Sequence, residues 1–136
     1  MNNIASIENI GGNIISNEYY KWIDNELINL TNEEYENIIV NNSNTIKLTF
    51  PLGINGIISP IYTYTHNSKI NLKFICKIIN EFYNNEITEQ EEQLLNNQLD
   101  EDLTFSNRME IIEYTNLCYF QGIENNNGVY NILLGS

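Results

Sequence analysis

The spacing of apolar positions changes period several times along this chain, and each change marks an element. Tyr19, Ile23, Leu27 and Leu30 recur at helical spacing, with Trp22 at the edge of their stripe. Ser16 or Asn17 stands where a cap belongs, so the pattern predicts a helix from there to about Leu30. Residues 1–13 ahead of it read as a loosely held arm, broken at Gly11-Gly12. Thr31-Asn32-Glu33-Glu34 has the form of a capping box, in which the Thr hydroxyl and the Glu34 carboxylate each satisfy a backbone N–H of the first turn. A short second helix to about Val40 is expected from it, followed by a turn at Asn41-Asn42-Ser43-Asn44.

The period then becomes two. Ile46, Leu48 and Phe50 alternate with Thr45, Lys47 and Thr49, the pattern of a half-buried strand. Pro51 interrupts pairing, Gly53 and Asn55-Gly56 supply turn geometry, and Ile57 to Thr65 reads as the partner strand. After Asn67-Ser68, read as a cap, Leu72, Ile75, Cys76, Ile79, Phe82 and Tyr83 form the clearest helical stripe in the chain. A second capping box, Thr88-Glu89-Gln90-Glu91, opens a helix to about Leu99. Ser106 or Asn107 opens another to about Glu113. Thr115 to Ile123 and Val129 to Leu134 flank Asn125-Asn126-Asn127-Gly128, a terminal hairpin. The expectation is a single α+β domain over residues 1–136, with an antiparallel sheet built from two hairpins and helices packed on one face.

Composition refines this picture. Asn and Ile make up about a third of the 136 residues, the bias of an A/T-rich coding sequence, yet Lys and Arg number 6 against 18 Asp and Glu. The acidity therefore belongs to the protein, and a formal charge of −12 repels nucleic-acid backbones and anionic membranes. No stretch reaches the ~18 apolar residues of a membrane span. The start, Met-Asn-Asn-Ile-Ala-Ser, lacks the charged and apolar regions of a signal peptide. Cys76 and Cys118 lie in apolar runs and are expected as buried, reduced thiols.

Chemistry-bearing residues are sparse, and no catalytic, metal-ligating or cofactor-binding set is assigned. His66, the one histidine, has no partner named by the sequence and reads as a turn residue. Tyr62 and Tyr64 share one strand face and, with the helix lysines Lys69, Lys73 and Lys77, form the candidate interaction surface. Glu89, Glu91, Glu92, Asp100, Glu101 and Asp102 form the candidate acidic surface, read as a solvated helix start and loop.

The Lys73-Phe74-Ile75-Cys76-Lys77-Ile78-Ile79 helix, Phe82-Tyr83, Ile87-Thr88, Phe120-Gln121-Gly122-Ile123 and the ending Gly128-Val129-Tyr130-Asn131-Ile132-Leu133-Leu134-Gly135-Ser136 resemble a group of small uncharacterised proteins of mimivirus-like giant DNA viruses. The resemblance covers residues ~67–136 and carries no catalytic residue. It implies a location in host-cell cytoplasm or in the virion. The leading functional expectation is a non-enzymatic accessory protein that binds another protein, with no cofactor, no direct nucleic-acid contact and no membrane. Homodimerisation is compatible with it. The alternatives are an acidic decoy that mimics nucleic acid and occupies a basic partner, and a small enzyme whose site assembles only in space.

Overall fold

The computed structural model describes residues 9–97 and 105–136. Nine strands and four helices are present among them. The strands are β1 (Ile10–Asn13), β2 (Glu18–Ile23), β3 (Glu26–Asn29), β4 (Ile39–Asn41), β5 (Thr45–Thr49), β6 (Tyr62–Thr65), β7 (Ile70–Asn71), β8 (Tyr119–Asn126) and β9 (Val129–Gly135). The helices are α1 (Asn32–Asn37), α2 (Leu72–Asn84), α3 (Glu89–Asn96) and α4 (Arg108–Thr115). Seven strands form one sheet in the order β3-β2-β1-β8-β9-β5-β6, and β4 pairs with β7 in a small second sheet. The α+β class is as expected.

The sheet is mixed, not a pure two-hairpin antiparallel sheet. Both predicted hairpins exist: β5 pairs with β6 and β8 with β9, each antiparallel. They join through a parallel β5–β9 pairing, Lys47 opposite Val129 to Thr49 opposite Asn131. The outer side of β8 is already taken by β1. A third antiparallel block, β1 to β3, completes the sheet where the sequence suggested an arm and a helix.

That correction has a local cause. Asp24 and Asn25 both sit at positive φ (51° and 68°), the geometry of a two-residue type I′ hairpin turn. It folds Tyr20 opposite Asn29 and Trp22 opposite Leu27. Tyr, Trp and Ile in that run are good strand formers, and the turn outweighs the helical spacing. Gly11-Gly12 is not a break either. A Cβ on Gly12 would lie 2.5 Å from the Tyr19 ring and 2.8 Å from the Glu18 carbonyl, so only glycine lets β1 and β2 approach.

Elsewhere the corrections are at boundaries. α1 stops at Asn37 because Ile39–Asn41 joins β7. Because β7 occupies residues 70–71, α2 is capped by Asn71, whose side chain accepts from the Phe74 N–H, rather than by Asn67-Ser68. Of the predicted partner strand from Ile57, residues Tyr62–Thr65 pair regularly. Ahead of Pro60 the chain instead makes a bridge between Pro51 and Ile58. Both capping boxes form as read, and Asn107 makes a third with Glu110. The expected loop Asp100-Glu101-Asp102 lies outside the described residues.

One continuous core joins the inner face of the sheet to the α2 stripe. Leu48, Phe50, Ile70, Leu72, Ile75, Ile79 and Tyr83 are sealed from solvent within it. Phe50 stacks on Phe82 with ring centroids 3.9 Å apart and planes 10° apart. Among the described residues no helix is long and apolar enough to cross a membrane.

Candidate functional site

Two polar constellations stand out against this core. The first surrounds Glu91, which is fully buried (0% exposed) and not part of a solvated acidic surface. Its position in the α3 capping box turns it inward, and the single arginine of the chain meets it there. Arg108 donates from Nε to Glu91 Oε1 at 2.8 Å and from Nη2 to Oε2 at 3.0 Å, a bidentate pair. Arg108 Nη1 donates to the Phe82 carbonyl at 2.8 Å, and the guanidinium lies 3.7 Å from the Phe82 ring centroid. Tyr62 donates its hydroxyl to Glu91 Oε2 at 2.7 Å. The pair has desolvation compensated on nearly every side and ties β6, α2, α3 and α4 together. It is a structural lock; neither partner is open to a substrate.

The second constellation is a cleft of about 340 Å³ between α2 and the β2–α1 region, lined by Asn17, Tyr19, Asn32, Tyr35, Lys73, Cys76, Lys77 and Asn80. The helix supplies Lys73, Cys76, Lys77 and Asn80 at i, i+3, i+4 and i+7, one face of α2. Asn17 reaches the cleft from a positive-φ turn (56°) between β1 and β2. The Tyr19 and Tyr35 rings meet edge to face, centroids 6.5 Å apart, and Tyr35 donates its hydroxyl to the Tyr19 carbonyl at 3.4 Å. Tyr19 is 4% exposed, and its hydroxyl makes no full hydrogen bond among the described residues, with the Cys76 thiol as a weak neighbour. Burial, with the Cys76 and Tyr35 groups nearby, pushes the Tyr19 phenol far above its ordinary range. Burial likewise pushes the Cys76 thiol up to about 12. That thiol is protonated at neutral pH, and no histidine or carboxylate lines the cleft to activate it.

The expected interaction surface is dispersed. Tyr62 and Tyr64 do share a face of β6, but it is the inner one. Both are half-buried against Phe50, at centroid distances of 6.5 and 6.2 Å. Lys69 lies before β7, whereas Lys73 and Lys77 are exposed on α2 and border the cleft. Lys73 makes an ion pair with Glu36 at 3.3 Å, both side chains more than half exposed. Glu89 and Glu92 are exposed as expected; Asp100, Glu101 and Asp102 lie outside the described residues. His66 stacks on Phe74, centroids 4.3 Å apart. Cys76 and Cys118 are buried and free. Among the described residues no three His, Cys, Asp or Glu side chains come together as a metal set.

Sequence reasoning missed the depth of Glu91 and the existence of the cleft. The one signal for the first was the lone arginine, a residue suited to buried bidentate pairing, one position after a helix cap. For the second there was none, because its wall is a hairpin that the apolar spacing disguised. Comparison with known proteins matched no family model, no curated protein and no solved structure.

Proposed function

We propose that this chain is a non-enzymatic binding protein whose partner is another protein, and that the β2–β3 hairpin is its docking surface. The observation that carries the reading is the exposure of that hairpin. All four residues of β3 are exposed. Trp22 (48% exposed) and Leu27 (52% exposed) face each other across the register on one face of the hairpin, and Ile23 and Ile28 are exposed on the other. β3 is also an edge strand, with backbone groups open to pairing. Large apolar side chains held on such an edge cost solubility unless something covers them, and Trp is the residue type most enriched at binding hot spots.

Glu18, Asp24 and Glu26 stand exposed around this apolar centre. A partner with an apolar groove and a basic rim fits that charge pattern on a chain of net charge −12. The decoy reading finds less support, because Glu34, Glu36 and Glu91 are each engaged by Lys21, Lys73 and Arg108. The resemblance to giant-virus proteins is what supports an encounter in an infected cell or a virion, and that placement rests on the resemblance alone.

The test is capture from host cytoplasm at moderate salt, with the intact chain and with Trp22→Ser/Leu27→Ser as bait. The reading expects one or two proteins on the first bait and their loss on the second, while a Tyr62→Phe bait keeps them. Trp22 is the only tryptophan, so the purified partner should shift its fluorescence to the blue. Equal capture by both baits sinks the hairpin as the surface. Micromolar self-association that the double substitution abolishes identifies the partner as a second copy.

A further inference from the structure

We propose that the cleft between α2 and the β2–α1 region binds a small phosphate monoester carrying a flat ring, with Lys73 and Lys77 on the phosphate and the Tyr19 hydroxyl on the ligand. The inference concerns the face of β2 opposite the Trp22–Leu27 pair, since Tyr19 and Trp22 alternate to opposite sides of the strand. Three independent features converge there.

The first is the Tyr19 hydroxyl, buried on a residue that is 4% exposed and lines the cleft, with no full hydrogen bond among the described residues and only the weakly bonding Cys76 thiol as a polar side-chain neighbour. Buried hydroxyls are nearly always hydrogen-bonded, and one with so weak a neighbour keeps bonding capacity for a ligand. The second is charge. A chain with 18 carboxylates lines this cleft with none, and with two of its six cations. Lys73 and Lys77 are one helical turn apart. Lys77 makes no ion pair among the described residues, and Glu36 holds Lys73 only through an exposed contact that an anion can replace. Two ammonium groups match the near −2 charge of a phosphate monoester better than the single charge of a carboxylate. The third is shape. About 340 Å³ falls in the range of small-molecule sites, and the aromatic walls of Tyr19 and Tyr35 suit a planar body. Asn17, Asn32 and Asn80 add amide groups that can both donate to and accept from ring substituents.

Calorimetric titration of the full chain with phenyl phosphate, the nucleoside monophosphates, the matching uncharged phenol and nucleosides, and inorganic phosphate tests this. Saturable binding of at least one ester is expected, about tenfold weaker in Lys77→Gln, with the uncharged counterparts and inorganic phosphate each at least about tenfold weaker than that ester. Tyr19→Phe should weaken the ester about fivefold while raising the melting temperature of the ligand-free protein, because it removes a buried hydroxyl that has only the weakly bonding Cys76 thiol beside it. Lys77 is exposed, so its variant keeps the fold, which circular dichroism checks. No saturable binding by any ester overturns the proposal. So does ester binding that neither substitution changes, or inorganic phosphate that binds as tightly as the esters.

Discussion

At the scale of single residues, asparagine does more than fill the surface. Among the described residues six non-glycine positions have positive φ, and they are Asn17, Asp24, Asn25, Asn55, Asn116 and Asn127. Asn and Asp tolerate the left-handed region because their short polar side chains bond locally; other residues with a Cβ pay more strain there. A coding bias toward Asn has thus been used where glycine would otherwise serve, and it shaped what could be read in advance. Asn55-Gly56 and Asn127-Gly128 announced their turns through the glycine. Asp24-Asn25 has none, so the helical spacing of the apolar residues around it hides the hairpin. At Asn127 (φ 55°), Asn127→Ala should cost about 1 kcal/mol by urea denaturation, and Asn127→Gly should be neutral or slightly stabilising. Equal losses for both would mean that the side chain, not the backbone conformation, carries the turn.

At the scale of elements, the legible parts were those whose determinants are local. The boxes at Thr31 and Thr88 involve residues three apart, and the α2 stripe repeats within one helix. The parallel β5–β9 contact joins residues about 80 positions apart and leaves no local trace. The Glu91–Arg108 pair falls between these cases: the capping box was visible, but its burial depends on where α4 lands. Removing one partner strands a charge in the core. Arg108→Ala should therefore destabilise by about 3–5 kcal/mol, far beyond an exposed pair such as Lys73–Glu36. The double variant Arg108→Met/Glu91→Gln should recover a large part of that loss, since no buried charge remains. Chemical denaturation of the single and double variants measures the coupling, and simple additivity would show that the ion pair is not the lock between α3 and α4.

At the scale of the whole molecule, the buried titratable groups set an alkaline limit on the fold. Burial raises the Cys76 thiol from 9.0 to about 12 and the Tyr64 phenol from 10.0 to about 12, and Tyr83, which donates to the Pro51 carbonyl at 2.6 Å, is raised well above 10.0. In each case the folded chain holds its proton where the unfolded chain releases it. Between pH 9 and about 12 the native state binds more protons, so stability must fall as pH rises. The contribution is complete below pH 9 and is lost as pH passes through the folded values. On the acid side the sign reverses for Glu34. The Lys21 ammonium and the Thr31 backbone N–H lower its pKa, so that interaction supports the fold at neutral pH and is lost in acid. Urea midpoints measured at pH 7, 9, 10 and 11 should hold between the first two and then decline. Cys76→Ala should shallow the decline between pH 9 and 10, where the thiol titrates in the unfolded chain before the phenols do. An unchanged slope in that variant would mean that the tyrosines of the core, rather than the Cys76 thiol, govern the alkaline edge.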